Sequence, residues 1–215
     1  MFPLIYPIID AGVCARRGAD PTALAAACLR GGARLLQLRV KEGPGRAFLA
    51  LAEALVALAA THEARIIVND RADVARIARA AGVHLGQDDL PVAAARAILG
   101  AEAIVGVSTH DPRQVDDAAA DAASYIAVGP VFGTSTKDTG YSARGLDLVR
   151  HAAATGKPVI AIGGITLDNG RSVLDAGASS LAVISDLLAA GDPEARTRAF
   201  LALQVPAPRS TPQHL

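Results

Sequence analysis

Eight short apolar runs recur along the chain, and each leads into a longer stretch with apolar residues at helical spacing. The runs are 4–9 (LIYPII), 34–38 (RLLQL), 64–68 (ARIIV), 82–85 (GVHL), 103–107 (AIVGV), 124–128 (SYIAV), 158–162 (PVIAI) and 180–184 (SLAVI). The intervening stretches are 21–30, 46–60, 71–80, 91–98, 112–120, 145–155, 168–175 and 194–203, and their spacing predicts one apolar helical face each. Strands that are apolar on both faces are the mark of parallel strands covered by helices. Strict strand–helix alternation therefore predicts an α/β fold with a parallel sheet. Eight units in one chain of 215 residues fit a closed (β/α)8 TIM barrel forming a single domain. An open doubly wound sheet satisfies the same periodicity. Residues 1–203 are read as the barrel, and 204–215, proline-rich and polar, as a mobile tail.

Local chemistry supports several boundaries. Asp20-Pro21 and Asp111-Pro112 each place an N-cap before a proline at the first helical position. Gly31, Gly82 and Gly177 fall where helices are expected to stop. The apolar fraction of 51% permits a large core, and aromatics at 3% with no Trp mean that Ala, Val, Leu and Ile must fill it.

A formal net charge of zero argues against a nucleic-acid surface. Cys14 and Cys28 have no metal-ligand spacing. Cys28, within LAAACL, reads as a small buried thiol, and no disulfide is expected. The opening MFPLIYPIIDAG has no basic leader and reads as a first strand rather than a signal peptide. No apolar run is long enough to span a membrane. A cytoplasmic protein acting on small molecules, with no nucleic-acid or membrane partner, is the expectation, and a homo-oligomer is left open.

In a barrel of this type, chemistry gathers at the C-terminal ends of the strands. Polar residues do collect there. The second strand ends in QLRVK, and alternation puts Gln37, Arg39 and Lys41 on one face. Two cations and an amide suit a diphosphate, while Lys41 also reads as a surface charge. The third strand ends in VNDRAD, with Asn69 and Asp70, and the fourth in HLGQDD, with His84, Gln87, Asp88 and Asp89. One acid from each of two adjacent strand ends could share a Mg²⁺, or each could cap the helix that follows.

The fifth strand ends in GVSTH, which is close to a nucleophile elbow but has His110 in place of the last glycine. Ser108 is more simply a hydrogen-bonding group for a ligand. The sixth strand leads into GPVFGTSTKDTG, where Thr134, Ser135 and Thr136 precede Lys137. The seventh ends in AIGGIT, with Gly163 and Gly164, and the eighth in AVISD, with Ile184 and Ser185. A double glycine there lets backbone approach a phosphate, or packs strand tightly on helix. Two anion sites, one cationic and one made of backbone, suggest that two phosphorylated ligands are joined.

These motifs, QLRVK, VNDRAD, HLGQDD, GVSTH, GPVFGTSTK, AIGGIT and VIS, run in order from 37 to 185. Together they resemble the thiamine-phosphate synthase family. The resemblance implies a transferase that couples 4-amino-2-methyl-5-(diphosphooxymethyl)pyrimidine to a thiazole phosphate and releases diphosphate. It implies that Gln37, Arg39, Lys41, Asn69, Ser108 and Lys137 bind the pyrimidine diphosphate, with Arg39, Lys41, Ser108 and Lys137 catalytic. It also implies that Asp70 and Asp89 hold Mg²⁺, and that Thr134, Ser135, Thr136, Gly164, Ile184 and Ser185 hold the thiazole phosphate. The stretch after Lys137 lacks the prolines of the family pattern. Two rival readings are a thiazole tautomerase-like barrel, which need not keep the cations and acids, and a non-catalytic barrel that binds a phosphorylated metabolite.

Overall fold

A computed structural model describes residues 2–133, 140–189 and 191–203. Eight strands form in order: β1 (Ile5–Asp10), β2 (Leu35–Arg39), β3 (Arg65–Asn69), β4 (Gly82–Leu85), β5 (Ile104–Thr109), β6 (Tyr125–Val128), β7 (Val159–Ile162) and β8 (Ser180–Val183). Every neighbouring pair is parallel, and β1 pairs with β8, so the sheet closes on itself as a barrel. The open doubly wound alternative is thereby excluded.

The helices are α1 (Ala11–Arg16), α2 (Pro21–Arg30), α3 (Gly45–Ala60), α4 (Ala72–Ile77), α5 (Val92–Leu99), α6 (Pro112–Ala120), α7 (Gly145–Ala154), α8 (Leu167–Asp175) and α9 (Pro193–Ala202), with a short 3-10 turn at Ser185–Leu188. Asp20 and Asp111 cap α2 and α6 as expected, accepting from the N–H groups of Ala23 and Gln114. Residues 204–215, read as a tail, lie outside the described residues.

Alternation divides the strand residues between two cores. One face packs under the helices, with Ile9, Leu38, Val68, Leu85, Val105, Ile126 and Val183 in that layer. The other faces the barrel axis, where Tyr6, Ile8, Leu35, Ile67, Tyr125, Ala127, Ile160 and Ala182 pack together. Register carries this inward face to the strand ends. Ile8 pairs with Gln37, Asp10 with Arg39, Asn69 with His84, and Ser108 with Ala127. The apolar plug thus turns polar toward the C-terminal mouth.

Two expectations are corrected. Helix α1 follows β1 directly, where no helix was expected. At six residues it is too short for a periodic signal, and it forms because Asp10 Oδ1 accepts from Val13 N at 2.8 Å. Gly82 does not stop a helix. Helix α4 already ends at Ile77, and Arg79 takes the left-handed turn at φ 56°. Gly82 instead opens β4, because a Cβ there would meet the Ile104 carbonyl oxygen at 1.8 Å.

Candidate active site

The polar strand ends enclose a cavity of about 480 Å³ at the C-terminal mouth. Gln37, Arg39, Lys41, Asn69, Asp70, Asp89 and Ser108 line it on one side, and Gly164, Ile184 and Ser185 on the other. Each of these sequence-predicted residues therefore reaches one space. Thr134, Ser135, Thr136 and Lys137 lie outside the described residues. The base of their loop is fixed. Val131 N donates to Ile162 O at 2.8 Å and Phe132 N to Gly163 O at 3.0 Å, while Arg144 N returns the chain to Pro130 O at 2.8 Å.

On the cationic side, Arg39 and Lys41 each meet an acid. Arg39 Nη1 bonds Asp10 Oδ2, and both are largely withdrawn from solvent, at 14% and 4% exposure. Asp10 thus caps α1 with one oxygen and orients Arg39 with the other. Sequence reading missed Asp10; its signal was a lone acid closing an apolar strand. Lys41 Nζ reaches Asp70 Oδ2 at 2.5 Å, and its side chain stays half exposed.

Asp70 adopts a left-handed backbone, φ 64°, a conformation uncommon outside glycine that Asp tolerates better than most. Its N–H donates to His84 O at 2.7 Å, which ties the end of β3 to β4. Neither Asp70 nor Asp89 caps a helix, and this removes the capping alternative: Arg71 and Pro91 precede α4 and α5, without a side-chain cap. Asp89 Oδ2 instead accepts from Gly86 N at 2.7 Å. Partial burial pushes the Asp89 carboxyl above its ordinary pKa, the Gly86 N–H opposes this, and the neighbouring Asp70 carboxyl raises it further. Two carboxylates that repel at one point, with an ammonium drawn to one of them, form a donor set suited to a hard cation. Among the described residues no cluster of three or more His, Cys, Asp or Glu side chains forms. Such a cation would keep water or substrate oxygens as its other ligands.

The opposite side is made of backbone. Gly163 and Gly164 have φ of 101° and 63°. A Cβ on Gly163 would meet Pro130 Cα at 2.6 Å, and one on Gly164 would meet Gly133 O at 2.6 Å. Both glycines are thus required by backbone angle and by packing against the loop after β6. Ile184 and Ser185 follow β8 into the 3-10 turn, where Asp186 is held by two Arg196 bonds of 2.8 Å.

At the floor, His84 Nε2 lies 2.8 Å from Ser108 Oγ and its Nδ1 lies 2.9 Å from Tyr125 Oη. A serine–histidine pair is present, but the group orienting the histidine is a phenol. Burial raises the Tyr125 pKa well above its ordinary value, and among the described residues the Nδ1 contact is this phenol and not the carboxylate of an acyl-transfer triad. Tyr6, His84 and Arg17 also line the cavity. Sequence reading gave Tyr6, Tyr125 and Arg17 no role, although a tyrosine inside an apolar strand is itself a signal, since its buried hydroxyl needs a partner.

Residues 5–187 match the family model described as thiamine monophosphate synthase. The chain belongs to this family. It is 46% identical over 201 residues to a thiamine-phosphate synthase of Roseiflexus castenholzii, covering 92% of this chain and 86% of that one. It is 44% identical over 205 residues to the thiamine-phosphate synthase of Koribacter versatilis, covering 93% and 94%. A solved thiamine phosphate pyrophosphorylase from Pyrococcus furiosus superposes with a TM-score of 0.83 at 32% identity, covering 93% of this chain and 94% of that one. As a family member the chain carries both halves of the mouth, the paired acids with Arg39 and Lys41 and the double glycine, around one cavity. Among the described residues no helix is long and apolar enough to cross a membrane.

Proposed function

We propose that this chain joins an aminopyrimidine methyl diphosphate to a thiazole phosphate, forming thiamine phosphate and releasing diphosphate. The observation that supports the reading is one cavity with charged side chains at one end and a glycine-rich backbone stretch at the other. Arg39, Lys41, Asp70 and Asp89 stand at one end and Gly164, Ile184 and Ser185 at the other. Family membership supports the same activity. A volume of about 480 Å³ is in the range of small-molecule sites.

In this reading the C–O bond to the diphosphate breaks first, and the bonding pair leaves with the diphosphate. The electron-rich aminopyrimidine stabilises the CH₂ cation left behind. The thiazole nitrogen then forms the new C–N bond with its lone pair. No protein nucleophile is needed. Arg39, Lys41 and Lys137 stabilise charge growing on the leaving group. Gln37, Asn69 and Ser108 hold the pyrimidine. Thr134, Ser135 and Thr136 join Gly164, Ile184 and Ser185 around the thiazole phosphate. The reaction requires that water, which would trap the cation, be kept from the cavity.

Asp70 and Asp89 fit a Mg²⁺ site, because their mutual repulsion and the Lys41 contact mark a place for a cation. Bound there, Mg²⁺ supplies neutralisation of the diphosphate charge. A tautomerase would have no use for this acid and cation pairing, and neither would a metabolite sensor.

The test is direct. Both phosphorylated substrates and Mg²⁺ are incubated with the protein, and thiamine phosphate and diphosphate are measured. Folded protein that gives neither product overturns the reading. Omitting Mg²⁺ is expected to abolish turnover.

A further inference from the structure

Five side chains from five strands form one hydrogen-bonded relay across the barrel interior. Gln37 Nε2 donates to Tyr6 Oη at 3.2 Å, and Tyr6 Oη lies 3.2 Å from Tyr125 Oη. Tyr125 Oη lies 2.9 Å from His84 Nδ1, and His84 Nε2 lies 2.8 Å from Ser108 Oγ. Both ends of the relay, Gln37 and Ser108, line the cavity. The middle is held by packing. The Tyr125 ring stacks on His84 at 5.6 Å between centroids and meets Phe2 edge-on at 5.2 Å. A Cβ on Gly106 would fall 1.9 Å from Tyr125 Cζ, so only glycine leaves room for that ring.

With Gln37 donating to Tyr6 and His84 neutral, the protons run in one direction. An amide nitrogen only donates, so Tyr6 receives from Gln37 and must aim its own proton at Tyr125. Tyr125 then aims its proton at His84 Nδ1. That leaves the imidazole proton on Nε2, donated to Ser108 Oγ, and the Ser108 proton is directed to the cavity. A doubly protonated His84 breaks the sequence. Tyr125 would then receive from Nδ1 and point at Tyr6, whose own proton would have no acceptor. The phenols cannot relieve this by ionising, because burial raises the pKa of both. Running the relay backwards requires the Gln37 amide to turn over and every bond to reverse. While the relay is unbroken, its two ends show the cavity opposite polarity, and they switch together.

We propose that this relay couples Gln37 to Ser108, presenting an acceptor at Gln37 and a donor at Ser108, and so selects the 4-amino pyrimidine over its 4-oxo counterpart. The proposal rests on the preceding reading for the identity of the ring. An aminopyrimidine edge offers an amino donor beside a ring-nitrogen acceptor. The 4-oxo ring exchanges these for a carbonyl acceptor and a ring N–H donor. A site with fixed polarity at two points leaves both groups unpaired when the exchanged ring enters. Tyr6, Tyr125 and His84 are positioning residues in this scheme, since they act through Ser108 and Gln37.

The test compares binding of the amino and 4-oxo pyrimidine diphosphates by calorimetry with Mg²⁺ present. The proteins are the wild type, Tyr6→Phe and Tyr125→Phe. The wild type is expected to prefer the amino ring by at least about 100-fold. Either phenylalanine cuts the relay and frees the His84–Ser108 end to reverse. The preference is then expected to fall to about 10-fold or less, chiefly through tighter binding of the oxo ring. A purely structural role weakens both rings alike and leaves the ratio unchanged. An unchanged ratio in whichever variant folds overturns the proposal. So does a wild type that binds both rings equally or binds neither. Coupling activity is assayed in parallel. Turnover with an unmoved ratio removes the relay alone. A collapsed ratio without thiamine phosphate removes the coupling reaction and leaves the relay.

Discussion

The two halves of the cavity mouth are built from different materials. The β2–β4 half is made of charged side chains in acid–base pairs, Arg39 with Asp10 and Lys41 with Asp70. The β7–β8 half is made of backbone, with Gly163 and Gly164 in left-handed conformations against the loop after β6. In the proposed function the difference follows from what each half would do. A leaving diphosphate would gain charge during the reaction, and full charges that can move toward it stabilise the transition state more than the ground state. A thiazole phosphate would keep its charge throughout, so fixed backbone contacts would suffice to position it. Even within the charged half the roles divide. Arg39 is clamped by a buried acid, whereas Lys41 is half exposed and can exchange Asp70 for a ligand.

The largest effect is expected where the charged half is broken. Asp70→Ala is predicted to lower kcat by about 10²–10³-fold at saturating substrate, in keeping with losing one group that stabilises developing charge. The fold should survive, at a cost of about 1 kcal/mol for Ala at φ 64°, because Asp70 stands at the cavity rim outside the apolar core. Steady-state assays over a Mg²⁺ series check this, and an unchanged kcat removes Asp70 from the site. Next comes Asp10→Ala. It strands the Arg39 guanidinium and removes the N-cap of α1, at a cost of about 3 kcal/mol in urea unfolding. A loss below about 1 kcal/mol would mean that Arg39 finds another partner or water.

The same contrast governs what could be read from the sequence. All eight strands were legible to within two residues at either end, because strands buried on both faces leave continuous apolar runs. Gln37 stood out as an amide inside such a run and Asn69 as an amide just past the end of the next, and charge made Arg39, Lys41, Asp70 and Asp89 visible. The backbone half was legible only through its glycines. Asp10 was not, because its partner Arg39 lies 29 positions away and meets it only when β1 pairs with β2. The relay was hidden for the same reason: Tyr6 and Tyr125 are 119 positions apart and touch only because the barrel closes. Helix α1 is too short to carry a period, and Arg79 took a turn expected of Gly82.

Breaking the backbone half is expected to have a smaller and differently distributed effect. Gly164→Ala places a Cβ 2.6 Å from Gly133 O at φ 63°. The strain is predicted to lower stability by about 1–3 kcal/mol. The KM for the thiazole phosphate should rise by about tenfold, as expected for a lost positioning contact. The KM for the pyrimidine diphosphate should stay close to wild type. Equal rises for both substrates would show that the two halves are not independent.

The smallest effect sharpens the charged half through pH. In the metal-free protein the Asp89 carboxyl is raised above its ordinary value, mainly by partial burial and further by Asp70. The folded state therefore holds its proton more tightly than the unfolded chain does. That contribution to stability is full below the unfolded pKa and is lost as pH rises through the folded one. Asp89→Asn, which cannot ionise, is predicted to flatten this fall. Because Asp89 is only partly covered and still meets solvent, screening should hold the gain at neutral pH below about 1 kcal/mol. Thermal unfolding from pH 3 to 7 without Mg²⁺ measures it. Added Mg²⁺ is expected to reverse the order, stabilising the wild type over Asp89→Asn, since a cation bound to the folded state favours the ionised pair. A variant that gains as much from Mg²⁺ as the wild type would show that the cation binds elsewhere, and the charged half would then be a set of ion pairs alone.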